Sequence, residues 1–102
     1  MSNLVHLSLN NSMKQNNNAI SDRSLASIGL SKYLVNLKIL ELRHTDITAK
    51  GVKSLSVSLV GESLEMLRLS HCKGIDGDVL AYIERISQNQ SLKKVYLNDC
   101  RI

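Results

Sequence analysis

The sequence predicts an α/β solenoid in which short strands and helices alternate within a repeated unit. One pattern, with apolar residues at its first, fourth and sixth positions, occurs at residues 4–9, 37–42, 64–69 and 92–97. Successive occurrences are 33, 27 and 28 residues apart. In each unit the apolar spacing then changes from two to about 3.6 residues, which is typical of a strand followed by a helix. A recurrence of this length indicates stacked repeats, here about three and a half.

Each of the four segments is predicted to form a strand with two different faces. Successive side chains of a strand point to opposite faces. The fourth and sixth positions of the pattern therefore share a buried face. The residues beside and between them are expected to face solvent.

A helix is predicted after each of the first three strands. Ser21 with Asp22, Thr48 and Asp76 each follow an isoleucine and can accept hydrogen bonds from the free N–H groups of a helix start. Gly61 is placed to end the second helix. The inward helix residues are predicted to be Leu25, Ile28, Val52, Leu55, Leu59, Leu80 and Ile83.

The first unit is longer than the others because an Asn-rich insertion lies between Leu9 and Ile20. Its composition fits a solvated loop at the strand-to-helix turn. A tolerated surface insertion and a binding loop are both open interpretations. The fourth unit reaches Ile102 without a helix, so we expect either a fragment of a longer repeat array or association through an end of the stack.

The length and composition fit one domain, 1–102, with repeats at 1–33, 34–60, 61–88 and an incomplete 89–102. With three Tyr and neither Phe nor Trp, the core is expected to consist of Leu, Ile and Val. The net charge is +4, but the basic residues are spread along the chain. Nucleic acid is therefore not the expected partner.

The sequence gives no indication of a membrane segment or a secretory signal. No apolar run reaches the roughly 18 residues that span a bilayer, and the N-terminus lacks a basic region followed by an apolar stretch. Two cysteines do not make a disulfide framework. An intracellular, cytoplasmic location is the simplest expectation.

Two stretches resemble known repeats: residues 64–75 (LEMLRLSHCKGI) and 86–95 (ISQNQSLKKV). Together with the four registered units, they resemble the leucine-rich-repeat superfamily over nearly the whole chain. The first stretch is similar to the cysteine-containing repeats of F-box-type ubiquitin-ligase adaptors, and the second to repeats of the ribonuclease-inhibitor type. The resemblance implies a parallel sheet on a concave face, helices on the convex face, and recognition of proteins, such as ubiquitin-ligase substrates, on the concave side.

Stacking the units in register aligns the exposed strand positions in columns about 4.8 Å apart. The columns are His6, Ile39, Met66, Lys94; Ser8, Glu41, Arg68, Tyr96; Asn10, Arg43, Ser70, Asn98; and Asn11, His44, His71, Asp99. Such mixed chemistry suits a protein-binding surface with apolar anchors and complementary charges. The predicted partner-binding residues are Ile39, Glu41, Arg43, His44, Met66, Arg68, His71, Lys94 and Tyr96.

Two groups in these columns have other interpretations. Glu41 and Arg68 could simply pair across neighbouring strands, which would contribute about 0.2–1 kcal/mol. His44, His71 and Asp99 could sense pH. Ordinary exposed polar residues are the favoured interpretation of that column.

The cysteines and histidines raise the question of a zinc site, which their spacing does not support. The chain has neither Cys-x-x-Cys nor His-x-x-x-His. The repeat turns Cys72 and Cys100 inward, where they act as small apolar residues, so neither a metal nor a cofactor is expected. Catalytic motifs are also missing. The run Asp76-Gly77-Asp78 fits helix capping better than a calcium loop.

We therefore expect a non-catalytic protein–protein interaction module that binds a partner protein through the concave face, as an adaptor or assembly factor does. A small-molecule substrate is not expected. One alternative is a regulator of an enzyme, such as a GTPase activator, for which Arg43 and Arg68 are the candidate basic residues. The other alternative is a purely structural repeat segment.

Overall fold

In the computed structural model, strands and helices alternate along the chain, as the sequence predicts. The structure describes residues 5–10, 20–31, 34–88 and 91–100. The elements are β1 (His6–Asn10), α1 (Asp22–Leu30), β2 (Ile39–Arg43), α2 (Ala49–Ser56), α3 (Leu59–Ser63), β3 (Met66–Ser70), α4 (Val79–Ser87) and β4 (Lys94–Asn98). The α/β class is therefore confirmed. Residues 11–19 of the insertion and Ile102 lie outside the described residues, whereas Asn10, the first residue of the insertion, is the last residue of β1.

The strands form one parallel, four-stranded sheet in the order β1-β2-β3-β4. Leu7, Leu40, Leu67 and Val95 are partners in successive strands. This is the register that the repeated pattern predicts. Side chains at equivalent positions of the four units consequently lie beside one another, about 4.8 Å apart.

One face of the sheet packs against the helices. The fully buried side chains of β2, β3 and the helices include Leu25, Leu40, Leu42, Val52, Leu55, Leu67, Leu69 and Ile86. Burying one such side chain stabilises the fold by about 1.5–3 kcal/mol. The inward residues of β1 and β4, which are Leu7, Leu9, Val95 and Leu97, are partly buried. Each outer strand has a neighbouring strand on one side within the described sheet, and it is therefore less well covered.

The inward face of α4 differs from the prediction by one residue. Leu80 was expected to point inward, but it is 50% exposed, and Val79 is fully buried instead. The physical reason lies in the turn. Val79 follows the buried Ile75 by four residues, whereas Val52 follows the buried Ile47 by five.

The second unit contains two helices, so the prediction that Gly61 ends the second helix is wrong. The helix α2 ends at Ser56, and Gly61 lies inside α3. The Ser58 side chain begins α3 by accepting a hydrogen bond from the Gly61 N–H at 3.0 Å. A Cβ on Gly61 would overlap the carbonyl oxygen of Leu55, so this close approach requires glycine. Leu59, predicted to be inward, is 64% exposed.

Two of the predicted helix starts are confirmed and one is wrong. Ser21 precedes α1, and its N–H donates to the Ser24 hydroxyl at 3.2 Å. The Thr48 hydroxyl accepts from the Lys50 N–H at 3.2 Å at the start of α2. Asp76 lies too early to cap α4, which begins at Val79. Its carboxylate instead accepts from the N–H of Asp78 at 3.0 Å and stabilises the preceding turn.

The carboxylate of Asp22 joins the start of α1 to the start of α2. It accepts hydrogen bonds from the Thr48 N–H at 2.7 Å, the Thr48 hydroxyl at 2.6 Å and the Gly51 N–H at 3.1 Å. Asp22 therefore satisfies free N–H groups of the next helix as well as placing negative charge in the first turn of its own. Such charge-assisted bonds are about twice as strong as neutral ones.

Both cysteines are free and occupy equivalent positions after β3 and β4. Cys72 is fully buried, as predicted, and its thiol lies 3.4 Å from the Ser70 carbonyl and 3.2 Å from the Thr45 hydroxyl. The Cys100 thiol donates to the Leu69 carbonyl at 3.5 Å and is partly buried. Burial raises the pKa of the Cys100 thiol.

Candidate functional site

The face of the sheet opposite the helices carries the predicted columns. Its residues on β2, β3 and β4 alternate with the inward-facing leucines and Val95, and all of them except Ser70 are partly or fully exposed. We call seven of them the open face: Ile39, Glu41, Arg43, Met66, Arg68, Lys94 and Tyr96. The predicted placement of these residues is confirmed. Their role in binding remains a prediction.

Ser70 departs from its predicted exposed column. Its relative exposure is 5%. The residue is in register with Arg43 on one side and with Asn98 on the other. A short side chain between two longer neighbours is shielded from solvent, and Ser70 therefore adds little surface to the open face.

Polar and aromatic contacts connect residues of all four strands across the sheet: three of these residues are in register, and His6 reaches them from two positions before Ser8, the register partner of Glu41. We call this the central row, and its members are His6, Glu41, Arg68 and Tyr96. The Glu41 carboxylate contacts the His6 imidazole and accepts a hydrogen bond from the Arg68 guanidinium at 3.3 Å. The guanidinium carbon of Arg68 also lies 4.7 Å from the centre of the Tyr96 ring. The predicted pairing of Glu41 with Arg68 is therefore present.

The contacts within the central row orient its side chains but contribute little to the stability of the fold. The side chain of Arg68 is 37% exposed and that of Glu41 18%, so this ion pair contributes at most about 1 kcal/mol. The cation–π contact adds about 0.5–1 kcal/mol. Within the described residues, Arg68 Nε is buried without a hydrogen-bond partner, which opposes part of this gain.

Ile39, Met66 and Lys94 lie on the side of the central row nearer the strand starts, and Arg43 lies on the side nearer the strand ends. Ile39 and Met66 are neighbours in register and are partly buried. Arg43 and Lys94 are exposed. In the described part of the chain, neither cation has an ion-pair partner.

A second row follows directly after the strands, where His44, His71 and Asp99 occupy equivalent positions. We call it the strand-end row. All three have a backbone φ of 55°, in the left-handed region that residues other than glycine seldom adopt. The rings of His44 and His71 stack with their centroids 4.5 Å apart, and the His71 Nδ1 lies 3.1 Å from a carboxylate oxygen of Asp99. The predicted fourth column is thus assembled for these three members.

His6 and Asp99 were not among the predicted binding residues, although both contact residues that were. Asp99 stands in the same predicted column as His71, and its carboxylate lies 3.1 Å from the His71 Nδ1, so the register was an available signal for Asp99. His6 is in register with Ile39 rather than with Glu41, so no column pairs it with the carboxylate that it contacts.

One depression of about 290 Å³ lies beside the strand-end row and is lined by His44, Thr45, Asp46, His71, Lys73 and Gly74. No cluster of three or more His, Cys, Asp or Glu residues that could hold a metal ion occurs within residues 5–10, 20–31, 34–88 and 91–100. In those same ranges, none of the helices is both long and apolar enough to cross a membrane.

Comparison with known proteins supports the repeat assignment. A family model described as Leucine Rich repeat matches residues 33–56, the segment that contains β2 and α2. Neither the search of curated proteins nor the search of solved structures found a match. Repeats of this family generally mediate protein–protein interactions and are generally non-catalytic. Residues 33–56 are therefore similar to a leucine-rich repeat, and β1, β3 and β4 repeat the strand pattern of this segment in register.

Proposed function

We propose that the chain is a non-catalytic interaction module whose open face binds a partner protein. The observation that carries this proposal is the open face itself. Seven side chains of mixed chemistry lie in register on one face of a sheet whose other face is packed against helices. The general role of the family in protein–protein interaction supports the same conclusion.

The architecture that goes with this proposal is a solenoid of about three and a half repeats, in which the open face is concave. The repeats are 1–33, 34–60, 61–88 and an incomplete 89–102 of a single domain. A stack of this kind presents a continuous recognition surface, which suits an adaptor or assembly factor, for example one that recognises ubiquitin-ligase substrates.

The anchors of the proposed interface are Met66, Arg68 and Tyr96. Aromatic and Arg side chains are enriched among the residues that dominate binding energy. The guanidinium of Arg68 is already held between Glu41 and the Tyr96 ring, so little side-chain entropy remains to be lost on binding. Met66 and its neighbour Ile39 supply the apolar surface.

The enzyme-regulator alternative places different demands on the same face. A GTPase activator needs a basic residue that can reach a transferring phosphate. Arg68 is engaged by Glu41 and Tyr96, which leaves Arg43 as the more accessible of the two candidates. A nucleotide-hydrolysis assay with and without the protein separates this alternative from a passive adaptor.

The proposed function is tested with a partner identified by affinity capture and mass spectrometry. The triple variant Met66→Ala, Arg68→Ala and Tyr96→Ala should weaken the Kd for that partner by at least about a hundredfold, since loss of each anchor typically costs about 1 kcal/mol or more. Its melting temperature should change little, because these residues lie outside the buried core.

The matched control carries three substitutions on the helical side of the molecule: Lys50→Ala, Leu80→Ala and Arg85→Ala. All three residues are exposed, and this variant should bind as tightly as the unmodified protein. Full binding by the open-face variant would overturn the proposal, as would an equal loss in the control.

A further inference from the structure

Three cations lie on a diagonal across the open face. Arg43 on β2 stands two residues after Glu41, which is in register with Arg68 on β3. Arg68 stands two residues after Met66, which is in register with Lys94 on β4. We call Arg43, Arg68 and Lys94 the cationic diagonal. From the strand spacing and the rise per residue, each step along it is about 8 Å.

Most of the positive charge of the diagonal remains available to a partner. The carboxylate of Glu41 is shared between His6 and Arg68. The carboxylate of Asp99 is paired with His71 in the strand-end row. Within the described residues, Arg43 and Lys94 have no ion-pair partner, and both are exposed. The open face therefore carries three positive side chains against the single, already engaged carboxylate of Glu41.

We propose that the open face recognises an extended acidic segment of the partner protein, with carboxylates at alternate positions along the diagonal. This inference rests on the proposed function. In an extended chain, alternate side chains lie about 6.7 Å apart on one face, close to the step between the cations. Carboxylates at that spacing meet Arg43, Arg68 and Lys94 in turn, and the guanidinium groups can form bidentate pairs with them.

Apolar contacts on one side of the diagonal set the position of such a segment. Ile39 and Met66 lie at the first positions of β2 and β3, on the side of the diagonal nearer the start of the strands. An apolar side chain next to the acidic run would pack on this pair. The charges thus raise the rate and the specificity of association, and the apolar contacts with Ile39 and Met66 contribute to the affinity for the segment.

The arrangement favours a protein carboxylate over a nucleic-acid phosphate. Nonspecific binding of single strands combines a basic groove with aromatic rings on which bases stack. Tyr96 is the aromatic ring of the open face, and the guanidinium of Arg68 already covers it.

The test measures the fluorescence anisotropy of a short labelled peptide in which Asp alternates with Ser. Two controls are the same peptide with Asn in place of Asp and a single-stranded oligothymidylate of similar length. The acidic peptide should bind the protein, more weakly as the salt concentration rises. The Asn peptide should not bind.

The double variant Arg43→Glu and Lys94→Glu should bind the acidic peptide at least about tenfold more weakly, since each change replaces an attraction with a repulsion. The matched control is Lys50→Glu with Lys53→Glu, which alters the net charge equally on the exposed side of α2. This control should retain binding to within about twofold. A second pair, Arg43→Gln with Lys94→Gln, should give an intermediate loss without introducing repulsion.

Several outcomes overturn the acidic-segment proposal. These are no binding of the acidic peptide, equal losses in the two reversal variants, and tighter binding of the oligothymidylate than of the peptide. Binding of the captured partner by the two variants distinguishes the acidic-segment proposal from the proposed function. If the Met66, Arg68 and Tyr96 variant loses the partner while the diagonal reversal keeps it, the acidic segment is wrong and open-face binding stands. If neither variant loses the partner, both proposals are wrong.

Discussion

The imidazole rings of His44 and His71 stack face to face, with centroids 4.5 Å apart and planes within 4° of parallel. Each histidine stands directly after a strand with a backbone φ of 55°. The stack therefore results from the same turn conformation being repeated in two successive units. It links the units at the ends of β2 and β3, outside the hydrophobic core.

The left-handed conformation predicts which residues position 44 can tolerate. His44→Asn should reduce the free energy of unfolding by about 1 kcal/mol, because asparagine adopts this conformation readily but loses the ring stack. His44→Val should reduce it by a further 1–2 kcal/mol, roughly, because a branched Cβ is strained there. Urea unfolding measures both. Arg43→Val is the control, since β2 favours valine; equal losses at positions 43 and 44 would contradict the explanation.

Removal of the Asp22 carboxylate should destabilise the junction between α1 and α2. In the Asp22→Ala variant the Thr48 N–H loses its acceptor, and the Gly51 N–H keeps only the Thr48 carbonyl at 3.0 Å. The free energy of unfolding should therefore fall by about 1–3 kcal/mol. Asp22→Asn should lose less, because its amide oxygen still accepts a hydrogen bond. The exposed Glu84→Gln serves as control and should have little effect. A loss below about 0.5 kcal/mol in Asp22→Ala would show that water replaces the carboxylate.

Two glycines should respond oppositely to alanine. Gly61→Ala should lower the free energy of unfolding by about 1–3 kcal/mol, because the added Cβ meets the Leu55 carbonyl oxygen. A Cβ at Gly77 meets nothing within 4 Å, and φ there is not positive. Gly77→Ala should therefore be neutral or stabilise by about 0.4–1 kcal/mol. Thermal unfolding of both variants decides the matter, and a stable Gly61→Ala protein would contradict the close approach.

The raised pKa of Cys100 predicts slow alkylation and a loss of stability in alkaline solution. Burial favours the neutral thiol in the folded state. The stabilising effect is therefore fully present below the unfolded-state pKa of a cysteine, about 8.5, and is lost as the pH rises through the folded value. Iodoacetamide labelling followed by peptide mapping measures the rate against pH. The midpoint should lie above that of the same cysteine in urea, and an equal or lower midpoint would contradict the effect of burial.

The strands and their pairing could be predicted from the sequence because both depend on local apolar spacing. Leu40 and Leu67 stand at the same position of equivalent patterns, and a stack of equivalent units places them side by side. The pairing of Glu41 with Arg68 followed from the same register. The spacing of the repeated pattern thus predicts which residues lie on the open face, but it does not predict what binds there.

The remaining features depend on contacts or conformations that spacing does not encode. The bonds from Asp22 to Thr48 join residues 26 positions apart. The break between α2 and α3 at Ser58 brings the backbone of Gly61 close to the Leu55 carbonyl oxygen. A glycine at position 61 is equally compatible with a helix end, so the sequence alone does not predict this contact. The left-handed backbone conformation at His71 could not be predicted either, because glycine is the residue usually expected in that conformation.

The difference in burial between inner and outer strands has a consequence for local opening. Leu40 and Leu67 are sealed from solvent, whereas Leu7 and Val95 are partly covered. Amide hydrogens of β2 and β3 should consequently exchange with deuterium far more slowly than those of β1 and β4, because fraying begins where the fewest side chains must separate. The ion pair between Glu41 and Arg68 lies on the two slowest strands. Among the proposed binding residues, those on β2 and β3 therefore lie on the strands that exchange most slowly, whereas Lys94 and Tyr96 lie on a strand that opens more readily.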